Sequence, residues 1–125
     1  MNGNYKYLLD SNIIIYHLNG EKPATDFLIA NFDKCAISRI TYIEVLSYPF
    51  NENDFKIVKE FLESFKIINT DKEISDQSII NRRLKKIKLP DNIIAATAQV
   101  NNLILVTRNV KDFNLLAIKL LNIFE

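Results

Sequence analysis

"YKYLLDSNIIIYHL", residues 5–18, sets an acid where an acid is expensive. Residues 5–9 read as a first buried strand, and Ser11 or Asn12 can cap a helix that carries residues 13–18. Asp10 stands between them. Taking an unpaired charge out of water costs several kcal/mol, so an acid that ends a buried strand should emerge in a cleft, hold a partner or coordinate a cation.

Outward from this stretch, strand-like and helix-like segments alternate. Pro23 opens a second helix to about residue 31. "KCAIS" reads as the second strand, and a helix from about 40 to 48 follows it, ended by Pro49. A charged amphipathic helix over about 53–64 leads to "FKIIN", the third strand, and then to a long helix over about 72–88. Pro90 closes that stretch, and Asp91 begins the Ala-rich helix "DNIIAATAQVNN". "LILVT" is the fourth strand, and "AIKLLNIF" supplies a possible fifth. Strands separated by helices imply a parallel sheet with helices on both faces, a three-layer α/β/α fold of four to five strands, with ligands at the carboxyl ends of the strands. No linker or repeat divides the chain, so residues 1–125 are expected to form one domain.

Composition narrows the function. With 16 Lys and Arg against 15 Asp and Glu, the net charge of +1 gives no global attraction to nucleic acid. A single cysteine, Cys35, excludes an internal disulfide, and in its apolar setting it reads as a small buried hydrophobe. A single histidine, His17, excludes a multi-histidine metal site and a two-histidine ribonuclease, and it reads as a helix-surface residue. Glycine at positions 3 and 20 alone excludes a Gly-rich phosphate loop. No apolar run approaches the roughly 20 residues that span a bilayer. The start, MNGNYKY, lacks a signal peptide's pattern, so a cytoplasmic location is expected. One cationic run stands out: in "RRLKKIK", Arg82, Arg83, Lys85, Lys86 and Lys88 surround a helical face of Ile80, Leu84 and Ile87. It is either a solvated helix face or a grip for an RNA backbone.

Three more acids sit at element ends or packing margins. On a helical wheel Ile40, Ile43, Ser47 and Phe50 form the buried stripe, and Glu44 lies at its margin. Asp91 starts an apolar helix, where the helix dipole favours its charge. Asp112 follows the fourth strand. Each has a bland alternative: a cap for Asp10 and Asp91, an ordinary margin residue for Glu44, a loop solubiliser for Asp112. Together they suit a hard divalent cation, Mg²⁺ or Mn²⁺, of the kind that serves phosphoryl chemistry.

The segments "YLLDSNIIIYHL", "SRITYIEVLSY", "LPDNIIAATA" and "LVTRNVKDF" resemble, in order and spacing, the four acidic motifs of PIN-domain ribonucleases, and in particular of the VapC toxins of bacterial toxin–antitoxin pairs. The resemblance covers nearly the whole chain. It implies a PIN-like fold and metal-dependent endonucleolytic cleavage of RNA, with a cognate antitoxin that covers the site. It makes Asp10, Glu44, Asp91 and Asp112 the catalytic metal site, with Ser11, Asn12, Thr107 and Asn109 in the polar shell around it. A homodimer is the expected assembly. One departure is visible, because many members carry a glycine just before the third motif where this chain reads "KIKLPD". The rival reading is a phosphoacceptor receiver domain built on Asp10, Asp71 and Thr107; a second is a PIN-like domain that binds RNA without cleaving it.

Overall fold

The computed structural model describes residues 4–125. The reading of the chain's start as free of a signal peptide lies in part outside them. Five strands form one parallel sheet: β1 Tyr7–Leu9, β2 Cys35–Ser38, β3 Lys66–Ile68, β4 Ile104–Val106 and β5 Leu120–Leu121, in the order β3-β2-β1-β4-β5. The helices are α1 Ser11–Leu18, α2 Lys22–Asn31, α3 Arg39–Leu46, α4 Glu52–Glu63, α5 Lys72–Leu84 and α6 Leu89–Val100.

Side chains alternate across the pleat, so successive strand residues feed two cores. Leu9, Ile37 and Val106 join Ile13, Ile14, Leu28 and Leu62 on one face. Leu8, Ala36 and Leu105 join Ile94, Ala95, Ala98 and Phe113 on the other. The alanines of α6 let that helix lie close against the sheet, because a methyl group leaves little to fit between them. Cys35 is buried in the first core, and burial pushes its thiol up to about 12, as expected of an inert hydrophobe.

Three details depart from the sequence reading. Asp10 itself is the N-cap of α1, as its bland alternative had it, in place of Ser11 or Asn12. In α3 the buried residues are Thr41 and Val45, whereas Ile43 and Ser47 are exposed. A helical wheel ranks positions by apolarity, but Thr41 turns inward because its hydroxyl meets Ser11 of α1. In the basic run, α5 ends at Leu84 and residues 85–88 are not helical. Ile80 and Leu84 are exposed, and α5 buries Ile74, Ser78 and Asn81 instead. Among the described residues no helix is long and apolar enough to cross a membrane.

Candidate active site

The strand order fixes where a ligand can sit. From β1 the chain winds outward through β2 to β3, then crosses back to β4 on the other side of β1. The order therefore reverses between β1 and β4, and the crevice of such a sheet opens at the carboxyl ends beside that reversal. Asp10 follows β1 and Thr107 follows β4. The Asp10 N–H donates to the Val106 carbonyl at 2.9 Å, extending the ladder by one bond and holding the two ends in register.

Asp10 is 5% exposed, and both its oxygens are held. Oδ1 accepts from the Ser11 N–H at 2.8 Å, and Oδ2 accepts from the Thr107 hydroxyl at 2.7 Å. Thr107 Oγ1 in turn accepts from the Asn109 N–H at 3.0 Å and, more weakly, from the Asn12 amide at 3.5 Å. All these donors are neutral. Burial, the largest effect, together with the charges of Asp91 and Glu44, raises the Asp10 carboxyl to about 6, against the lowering by Thr107 and Ser11.

Glu44 joins from α3. A carboxylate only accepts, so the Ser11 hydroxyl donates to Glu44 Oε1 at 2.6 Å, and the Thr41 hydroxyl, 3.0 Å away, is left to donate to Ser11 Oγ. Thr41 was missed in the sequence because it was placed off the buried stripe; its spacing of three from Glu44 was the available signal.

Asp91 is not a cap. Helix α6 starts two residues earlier, at Leu89, with Pro90 in its first turn, where its missing N–H costs nothing. Asp91 is half-buried, and its carboxyl is raised by burial first, then by the charges of Glu44 and Asp112, with Lys88 acting against them. These effects outweigh the helix dipole that favours its ionised form. Asp112 lies in the 3₁₀ turn Val110–Phe113 and is exposed. Thus Asp10 feels the charges of Asp91 and Glu44, and Asp91 those of Glu44 and Asp112, across the ends of β1, α3, α6 and the turn after β4.

The donor set is all oxygen, which suits a hard divalent cation. Among the described residues no three carboxylate, imidazole or thiol side chains converge tightly enough to grip one ion between them. A hard cation of this kind is commonly held by one or two carboxylates with water completing its shell. Asn12 adds a further oxygen: its Oδ1 is buried with no hydrogen-bond partner.

Of the basic run, Lys85, Lys86 and Lys88 border a cleft with Asp91, Lys111 and Asp112. Arg82 and Arg83 lie on the last turn of α5. His17 is half-buried rather than on the open surface, with Nδ1 2.8 Å from Thr25 Oγ1 and its ring against Phe61, and burial lowers its pKa.

The receiver reading fails on topology. A receiver's strand order is that of flavodoxin, 2-1-3-4-5, which sets the third strand beside the first. Here β3 is the sheet edge, and Asp71 caps α5 by accepting from the Ile74 N–H at 2.9 Å.

One buried network escaped the sequence reading altogether. Asn81 donates from Nδ2 to Asn92 Oδ1 at 3.0 Å and to Gln99 Oε1 at 2.8 Å, and it accepts from Gln77 Nε2 at 3.1 Å. Asn92 donates to the Ser78 carbonyl at 2.8 Å. This chain of amides joins α5 to α6 beside Asp91; the signal was the spacing of Gln77 with Asn81, and of Asn92 with Gln99, on inward faces.

Comparison with known proteins agrees with this fold. The family model described as the PIN domain matches residues 7–119. Among solved structures, a toxin–antitoxin complex from Klebsiella pneumoniae contains a chain 36% identical to this one, with a TM-score of 0.84; the match covers 96% of this chain and 99% of that one. The DNA-bound VapBC of Salmonella typhimurium gives a TM-score of 0.83 at 20% identity, over 95% of this chain and 98% of that one. VapBC2 from Rickettsia felis, bound to a promoter DNA fragment, gives 0.80 at 24% identity, over 93% and 97%. The last two show the shared fold alone. No curated protein matches the chain.

Proposed function

Because the chain belongs to the PIN-domain family, we propose that residues 1–125 form one nuclease domain, a divalent-metal-dependent endoribonuclease that acts as the toxin of a toxin–antitoxin pair. The observation that carries the nuclease reading is the gathering of acids at the sheet's reversal point: Ser11 bonds both Asp10 and Glu44, Asp91 and Asp112 line one cleft, and the charge of Glu44 raises the carboxyls of both Asp10 and Asp91. Without a catalytic task, clustered acids would repel both one another and an RNA backbone to no purpose. The toxin reading is supported by the 36% identity, over nearly the full length of both chains, to a component of a toxin–antitoxin complex.

Asp10 and Asp91 would hold Mg²⁺ or Mn²⁺ directly, with Glu44 and Asp112 acting through water. When bound, such an ion supplies a water of lowered pKa and neutralises charge on the phosphorus oxygens and leaving group. The protein's own part is to hold the acids still. Thr107 and Ser11 fix the Asp10 carboxylate through one oxygen each, and Ser11 couples that grip to Glu44. Asp10 and Asp91 bind protons more readily than ordinary carboxylates, so cation binding should release protons. His17 is engaged with Thr25, so proton transfer falls to the carboxylates. The exposed apolar side chains Ile80 and Leu84, one turn apart on α5, support the expected homodimer, since exposed apolar surface favours association.

Incubation of the purified chain with cellular RNA should give discrete fragments in Mg²⁺ or Mn²⁺, and none in EDTA or with Asp10→Asn. RNA that is bound but never cut would favour the non-catalytic reading. Induction of the chain alone should arrest growth, and co-production of the protein encoded beside it should restore growth; unchanged growth and intact RNA would count against the toxin role. An antitoxin that sets an Arg or Lys among the carboxylates would replace the cation by charge.

A further inference from the structure

Lys85 has no donor to offer a ligand. It follows the last residue of α5, its N–H closes that helix on the Asn81 carbonyl at 3.1 Å, and its backbone is extended, so the side chain leaves the helix and crosses to the turn after β4. There its ammonium meets three acceptors: the Asp112 carbonyl at 3.0 Å, the Lys111 carbonyl at 3.4 Å and Asn114 Oδ1 at 2.6 Å. An ammonium carries three N–H groups, and three acceptors occupy them.

The turn it reaches is tied at its entry and loosely held at its exit. The 3₁₀ turn Val110–Phe113 is four residues long; its entry is held by an Asp112 N–H to Asn109 carbonyl bond of 3.0 Å, while its exit rests on Asn114 N–H to Lys111 and Leu116 N–H to Phe113 carbonyl bonds of 3.4 Å each. Leu115 beyond it has a φ of 72°, a left-handed conformation that costs a non-glycine residue. Phe113 anchors the turn from below, in the core against α6. Among the described residues, Lys85 is the one that reaches the Asp112 backbone from the end of α5.

We propose that Lys85 is a positioning residue, a three-pronged clip that fixes the Asp112 turn against the end of α5 and so sets the separation of Asp112 from Asp91. The proposal rests on Asp112 belonging to the nuclease site, and it removes Lys85 from the candidates for gripping RNA, leaving Lys86 and Lys88 on that cleft wall.

The test exploits opposite signs. Lys85→Met keeps the apolar stem and deletes both the prongs and one positive charge. If Lys85 acted through space only, losing a cation beside acids would strengthen the binding of a divalent ion. A positioning role predicts weaker binding, because partners that orient a ligand commonly cost on the order of 10-fold in metal affinity when lost. Lys86→Met, one residue along and outside the clip, is the charge control.

The Mn²⁺ concentration at half-maximal rise in melting temperature should increase about 10-fold for Lys85→Met and stay level or fall for Lys86→Met. Hydrogen exchange in EDTA should speed up at the Asp112 and Asn114 amides in Lys85→Met alone. The salt dependence of binding to a labelled single-stranded oligoribonucleotide, in EDTA, should be unchanged by Lys85→Met. A Lys85→Met midpoint that follows the Lys86→Met control, or a flattened salt slope, overturns the proposal while leaving the nuclease reading intact. If the unmodified chain shows no Mn²⁺ response, the nuclease reading fails first and the proposal falls with it.

Discussion

Two polar networks lie side by side at the start of α6, and they are built on opposite rules. The one through Asn81, Asn92, Gln99 and Gln77 is neutral, and each amide meets another amide or a carbonyl. The one through Asp10, Glu44 and Asp91 is charged, and its members oppose one another. Adjacent residues, Asp91 and Asn92, belong to different networks. Polarity that serves the fold is satisfied internally, whereas polarity that serves a ligand is left with unmet demand until the ligand arrives. The unpartnered Asn12 Oδ1 belongs to the second kind.

This contrast fails if the two networks respond alike to neutralisation. Asp10→Asn should lower RNA cleavage at least about 100-fold, as loss of a metal-site acid does. The same change should stabilise the metal-free protein. A carboxyl with a folded value near 6, against 3.8 when unfolded, holds its proton more tightly in the folded chain. Its contribution is therefore full below pH 4 and is lost as pH rises through 6. That loss is worth on the order of 3 kcal/mol. Urea denaturation in EDTA at pH 4 and pH 7 checks the sign: the Asn variant should gain on the unmodified chain only at the higher pH. Equal pH slopes would mean that Asp10 is not strained.

In the neutral network the same kind of deletion should do harm. Asn81→Leu leaves Asn92 Oδ1 and Gln99 Oε1 without their donor and should cost about 3 kcal/mol. That cost should not vary between pH 4 and pH 7. A loss below about 1 kcal/mol would show that water replaces the amide freely.

Asp91→Asn tests the boundary between the networks. It gives up an interaction with the dipole of α6 of about 0.3–1 kcal/mol and relieves burial and repulsion. Metal-free stability should be unchanged or slightly higher, and the rise of melting temperature with Mn²⁺ should largely vanish. A variant that melts lower in EDTA yet keeps its full Mn²⁺ response would make Asp91 a helix residue only. Exposed charge should matter least: Lys22→Met, which breaks the 2.6 Å pair with Asp26, should change stability by less than about 0.5 kcal/mol.

Much of this was legible in order along the chain. Alternating segments gave the parallel sheet, and the acids at element ends gave the candidate site, because both follow from local pattern and the cost of burying charge. The misreadings share one cause. The stripe of α3 and the apolar face assigned to Ile80 and Leu84 were each judged within a single helix, and each was overruled by a neighbour in space. Thr41 turns inward to meet Ser11, and Asn81 turns inward to meet Asn92 and Gln99.

The sequence by itself determined which residue types are available: oxygen ligands, one histidine, one cysteine, no glycine loop. It also determined that Asp10 ends a buried strand. Tertiary structure alone decided that β1 and β4 are neighbours, so that Thr107 reaches Asp10 across 97 positions of sequence. It alone divided the basic run, giving Lys85 to the backbone around Asp112 while Lys86 and Lys88 stay on the cleft wall. A charge pattern is periodic along one segment, but the partner of each charge lies on another segment, and only folding sets that distance.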